Sequence, residues 1–136
     1  MVEFADIEEN FHQTVAKYVW CSVATVDTQG RPRSRVLHPI WEGTTGWILT
    51  GRTSLKAKHL DDNPYVSLAY IADPLKPLYV DGSAEWVDDM ATKERIWKLF
   101  TNTPPPYGYD PSPFFGSVDR HTTGLLTLTT CRTELY

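Results

Sequence analysis

A mainly β fold, a six-stranded antiparallel barrel plugged by α-helices, is what this sequence predicts, and three observations predict it. Six short runs of β-branched or alternating residues lie along the chain. Most of them are joined by turn-sized breaks, whereas a parallel α/β sheet needs a crossover helix after nearly every strand. Helix-period stretches sit at the start, in the middle and after the fifth run, where they can plug a closed sheet. Closure also removes unpaired strand edges.

Taken in order, Phe4, Ile7, Phe11, Val15 and Tyr18 recur at steps of three and four, with Asp6, Glu8, Glu9 and Lys17 on the other faces, which predicts an amphipathic helix. Residues 20–26 form a β-branched run that breaks at Asp27-Thr28-Gln29-Gly30, a polar tetrad suited to a tight turn. The returning strand, 32–41, alternates: Arg33, Arg35 and Leu37 face one way, Ser34, Val36 and His38 the other. A glycine-marked turn at 42–46 leads to a short third strand, 47–50. A helix is expected over 54–62, capped by Thr53 or Ser54 and ended by Asn63-Pro64, because the residue before a proline is pushed out of the helical region. Strands four and five, 65–71 and 78–87, flank a proline-bearing loop. Asp88-Asp89 opens a third helix whose apolar side carries Met90, Ile96, Trp97 and Phe100. Residues 102–115 are crowded with prolines and aromatics, which excludes a helix or central strand and predicts an ordered, packed loop. The last run, 124–136, is the sixth strand.

With 136 residues, 41% hydrophobic and 22% charged, the chain should form a single domain spanning 1–136 with an ordinary core. Disordered, collagen-like and coiled-coil readings are excluded. Thirteen Lys and Arg against 17 Asp and Glu give a net charge of -4 and no footprint for duplex nucleic acid, so any anion site has to be local. Cys21 and Cys131 lie far apart without a CxxC motif, the usage of a reducing compartment. With an acidic start and no apolar run of membrane length, a cytoplasmic location without a membrane partner is expected.

The segment from Thr50 to Asp62 carries the chemical signal. Its helix has Lys56 and Lys58 in the first turns and Asp61-Asp62 in the last, the reverse of what the macrodipole prefers. An anion at the helix start would compensate, held by free backbone N–H groups, the Thr53 and Ser54 hydroxyls and the Lys56 ammonium. The alternative is that these lysines are simply solvated. Arg33 and Arg35 share one face of strand two: inward they demand an anion, outward they mean little. The histidines His12, His38, His59 and His121 show no metal-binding spacing, and there is no GxSxG, GxGxxG or Walker loop. Cys21 falls inside a strand and reads as a small buried hydrophobe. Tyr107, Tyr109, Phe114 and Phe115 could line a pocket, although packing alone also accounts for them.

The order Ala24-Thr25-Val26-Asp27 then Gly30, Arg33-Ser34-Arg35-Val36, Thr50 followed by Ser54-Leu55-Lys56, Asn63-Pro64 with Val66-Ser67-Leu68, and Gly82-Ser83-Ala84-Glu85 resembles the pyridoxamine 5'-phosphate oxidase-like, flavin-binding split-barrel family, closest to its short general-stress-protein branch. The resemblance implies a split-barrel homodimer holding FMN in clefts at the subunit interface. By position it implies that Arg33 or Arg35, with Ser54 and Lys56, grips the FMN phosphate, that Thr50 stands at the strand-three threonine position, and that backbone near Val36 and Leu37 faces the flavin ring. The implied activity is FMN-dependent electron transfer between a reduced donor and a small acceptor. A deazaflavin-coenzyme reductase, or a non-catalytic flavin-binding stress protein, would use the same scaffold. True pyridoxamine-phosphate oxidase activity is not expected. Leu55 stands where the vitamin-synthesising oxidases have an arginine, and the tail from Cys131 lacks their substrate-binding arginine and histidine.

Overall fold

The computed structural model describes residues 4–53, 55–71, 75 and 77–135. Its elements are α1 (Phe4–Lys17), β1 (Cys21–Val26), β2 (Pro32–Leu37), β3 (Ile40–Glu42), β4 (Thr45–Gly51), α2 (Leu55–Asp62), β5 (Tyr65–Tyr70), β6 (Leu78–Trp86), α3 (Met90–Asn102), α4 (Ser112–Phe115) and β7 (Thr123–Leu135). All seven strands belong to one sheet in the order β2-β1-β5-β6-β7-β4-β3, and each recorded pairing is antiparallel.

Seven strands replace the six expected, because the long second strand is cut at His38-Pro39. Proline has no N–H for a ladder and biases the residue before it, so pairing cannot run through this dipeptide unbroken. The cut changes the partner. β2 pairs with β1, whereas β3 pairs with β4 at the far edge of the sheet. Leu37 and Ile40 are only three residues apart, about 11 Å at full extension. The sheet's two edges must therefore approach each other, and the sheet curls into the half-barrel of a split-barrel fold.

The inside of the curl is filled by Val23 of β1, Val66, Leu68 and Tyr70 of β5, Leu78 and Val80 of β6, and Ile48, Leu126 and Leu128 from β4 and β7. Phe11 and Val15 of α1 join the same cluster and plug it. A second cluster lies on the opposite face of β4 and β7, where Trp47, Leu49 and Leu125 meet Ile96 and Phe100 of α3. β4 is thus covered on both faces, which explains its unbroken burial from Gly46 to Thr50.

The local signals act as expected at several ends. Asp89 caps α3 by accepting from the Thr92 N–H at 3.0 Å. Gly30 adopts φ 80, and its N–H reaches the Asp27 carbonyl at 3.0 Å, closing the β1–β2 turn. Within 102–115, where no helix is expected, Ser112–Phe115 makes a single helical turn. It tolerates proline because Pro111 and Pro113 lie at its first positions, whose N–H groups have no intrahelical partner.

One polar pair is sealed inside the barrel: the Trp41 indole N–H donates to the Tyr70 hydroxyl at 3.0 Å, with Tyr70 fully buried. Tyr70→Phe removes the acceptor and strands a buried donor, so stability should fall by about 1–3 kcal/mol. The shift of the urea unfolding midpoint measures it.

Candidate functional site

Val36 and Leu37, the last residues of β2, stand beside Leu49 and Thr50 at the end of β4, because the chain clamp at His38-Pro39 draws these two strands together. Between them opens a cavity of about 490 Å³. Val19 and Trp20, just before β1, form a further part of its wall, and Pro106, Tyr109, Phe114 and Phe115 form the rest. Its size suits a small-molecule or cofactor site. Three of the sequence-predicted residues, Val36, Leu37 and Thr50, therefore meet at one opening.

His38 also lines this cavity, a residue that no metal-binding or catalytic spacing singles out in the sequence. Its one available signal was position, directly after Val36-Leu37 and before the strand-breaking Pro39. Its Nε2 lies 2.6 Å from the Tyr107 carbonyl, which only accepts, so Nε2 carries the proton and Nδ1 is left as an acceptor. The ring packs against Tyr109 at 4.8 Å and Trp20 at 5.2 Å between centroids. Burial pushes its pKa below 6.5, opposed by the bond to Tyr107. Tyr107 itself braces the loop, its hydroxyl accepting from the Trp41 backbone N–H at 2.6 Å.

The two arginines of β2 share the face of Val23 and Thr25, both buried: Arg33 stands opposite Thr25 and Arg35 opposite Val23. Their surroundings differ. The Arg33 Nε is 3.2 Å from Asp27 Oδ2, an oxygen that Arg31 Nε also reaches at 3.1 Å. Asp27 is held well below the usual carboxylate range, foremost by the Arg31 backbone N–H, with further bonds from Gln29 and both arginines. Arg35 instead donates to the Thr25 hydroxyl at 2.6 Å, and among the described residues it has no carboxylate partner. Burial alone lowers its pKa.

Ser54 and the Lys56 side chain, the other two predicted phosphate ligands, lie outside the described part of the structure. The α2 backbone that carries Lys56 packs against β1, the strand paired with the one bearing Arg35. Arg52, just before α2, stacks over Trp86 at 4.3 Å and lies 3.7 Å from Asp88. Cys21 is buried, and burial pushes its thiol up to about 12, as suits a packing residue rather than a nucleophile. No helix among the described residues is long and apolar enough to cross a membrane.

The depressed His38 pKa gives a signed expectation. Below 6.5 the unfolded chain binds this proton more readily than the folded one, so stability falls as pH drops through that value and the loss is complete below the folded pKa. His38→Gln should flatten the decline between about pH 7.5 and 5.5 relative to the parent protein. Urea midpoints at the two pH values test it.

Comparison with known proteins accords with this geometry. A family model described as pyridoxamine 5'-phosphate oxidase matches residues 7–108. A pyridoxine/pyridoxamine 5'-phosphate oxidase of Aliivibrio salmonicida is 35% identical over 85 residues, covering 61% of this chain but 38% of that protein, so the match spans well under half of the relative. A solved protein of Clostridium acetobutylicum, related to general stress protein 26 of the pyridoxinephosphate oxidase family, superposes with a TM-score of 0.79 at 18% identity, covering 99% of this chain and 90% of its own. An F420 reductase superposes at 0.65 and 16% identity, covering 90% and 94%. At such identities the structural likenesses establish the fold, while the matched family model establishes the relationship: this chain belongs to the pyridoxamine 5'-phosphate oxidase family.

Proposed function

We propose that this chain is a flavin-binding, oxidoreductase-like protein that takes FMN, with its phosphate on Arg35, Ser54 and Lys56 and its ring against Val36, Leu37 and Thr50. One observation carries the reading. Arg35 is a partly buried cation with no carboxylate partner among the described residues, and it directly precedes the two residues that open the apolar cavity. A guanidinium taken out of water is costly unless an anion meets it, and it suits phosphate in particular. Arg33 already has a carboxylate partner in Asp27, which supports Arg35 as the phosphate ligand of the two.

The residues fit the cofactor's two ends. An anionic tail meets Arg35 and the start of α2, whose free N–H groups and Lys56 favour negative charge. A flat apolar ring meets the aliphatic wall. FMN, when bound, supplies the redox chemistry. The chain's own contribution is to anchor the tail, fix the ring and keep bulk water from it. A deazaflavin coenzyme is the second reading, supported by the F420 reductase that shares the fold.

A second copy of the chain belongs to the same proposal. The outward face of β2-β1-β5 is built of small or uncharged residues: Ser34 and Val36, Ser22, Ala24 and Val26, Tyr65, Ser67 and Ala69. Val36 and Tyr65 are 63% and 66% exposed there, the kind of apolar surface that an identical face would cover. A cytoplasmic location accompanies this reading.

Titration of the flavin-free protein with FMN, followed by flavin fluorescence and absorbance, tests it. Arg35→Met and Lys56→Ala should each weaken binding by about 1.5–3 kcal/mol, roughly tenfold to a hundredfold, while Arg33→Met should leave it nearly unchanged. Failure of the parent protein to bind either FMN or a deazaflavin would refute the proposal. Binding without reduction by any nicotinamide donor would leave a flavin-binding protein without electron-transfer activity.

A further inference from the structure

Resting on the flavin reading above, we infer that the aromatic half of the cavity binds a flat, uncharged aromatic molecule carrying a hydroxyl, seated between Trp20, Tyr109 and Phe114 with His38 Nδ1 as its hydrogen-bond acceptor, and that this half, away from Arg35, does not seat a phosphate.

The wall itself sets the charge. Among the described residues, none that lines the cavity is Lys, Arg, Asp or Glu. Among the described residues the one basic side chain there is His38, whose pKa burial lowers from 6.5, toward the uncharged form. A phosphomonoester entering this half would lose hydration and gain no cation, which is costly. An uncharged ring loses little.

The rings set the shape. Trp20 and Phe114 are 62% and 73% exposed, large aromatic surfaces left standing at the opening. Tyr109 lies between His38 at 4.8 Å and Phe114 at 5.9 Å, the latter pair nearly perpendicular at 83°. Edges and faces are thus both on offer to a planar guest, the arrangement aromatic pairs prefer. Both exposed rings come from segments outside the sheet, so they can adjust around a guest while Val36, Leu37 and Thr50 stay fixed.

The hydroxyl follows from the tautomer. The Tyr107 carbonyl claims the Nε2 proton, and Nδ1 has no hydrogen-bond partner among the described residues. A ring bearing an O–H satisfies that lone pair, whereas a ring without one leaves it unmet.

Calorimetric titration tests the inference, with 2-naphthol and its methyl ether 2-methoxynaphthalene in flavin-loaded and flavin-free protein, and with pyridoxal 5'-phosphate in flavin-loaded protein, where the FMN phosphate already occupies Arg35. We expect 2-naphthol to bind at least tenfold tighter than either of the others. His38→Phe should abolish the preference for naphthol over its ether, His38→Gln should restore part of it, and Phe114→Ala should weaken both ligands alike. Should His38→Phe fail to fold, the three-ligand comparison in the parent protein still decides. Pyridoxal 5'-phosphate binding as tightly as 2-naphthol, or Phe114→Ala leaving the affinities unmoved, overturns the inference. The FMN spectrum of the same samples separates the two readings. FMN bound without naphthol preference removes the ring site alone, and naphthol preference without any FMN binding supports the ring site while removing the flavin reading.

Discussion

Leu37 and Ile40 are separated by a single dipeptide, yet they begin from opposite edges of a seven-stranded sheet, so the covalent chain holds those edges together at His38-Pro39. Curl, core and cavity all depend on this clamp. The curl creates an inside for Phe11 and Val15 of α1 to fill, and it makes β4 a strand buried on both faces. The same clamp places the end of β2 beside the end of β4, and the cavity is the gap that remains where the ladder cannot continue through proline. A barrel closed by continuous pairing would have no such opening.

Charge is distributed unevenly around this gap. Asp27 gathers Arg31 and Arg33 at the β1–β2 turn and also accepts two backbone N–H groups, so one carboxylate both shapes the turn and pairs with two neighbouring cations. Arg35 lies beyond that reach, with a neutral hydroxyl at 2.6 Å as its one side-chain partner among the described residues. The contrast within one strand, two residues apart, separates a cation paired with a carboxylate from one that meets only a hydroxyl among the described residues.

The β-rich fold, its antiparallel order and the positions of α1 to α3 were legible in the sequence because each rests on local periodicity and on caps such as Asp89. The division of the second strand was not. Residues 32–41 alternate straight through His38-Pro39, and only the pairing partners, which are not local, reveal that the run serves two edges. The alternation did place Arg33 and Arg35 on one face, but nothing in the spacing tells that Asp27 occupies one of them and not the other. The single turn at Ser112–Phe115 escaped because proline counts against a helix interior, while a four-residue helix is all first turn. His38 escaped for another reason: a cavity wall is assembled from segments far apart in sequence, although Tyr109, Phe114 and Phe115 could be named as possible lining from their aromatic character.

Two rings kept largely in water, Trp20 and Phe114, need an explanation that packing does not supply, since a chain with a core this complete could bury or replace them. Scattered exposed aromatics are ordinary, but these two border the same opening, and between them lies a histidine whose tautomer is fixed by Tyr107. The loop that supplies Tyr107, Tyr109 and Pro106 is anchored at the clamp through the Trp41 and His38 bonds, so the device that shapes the sheet also orients the His38 ring. Fold and site are thereby coupled. Loosening the Tyr107 anchor would release both the tautomer of His38 and the wall opposite β2.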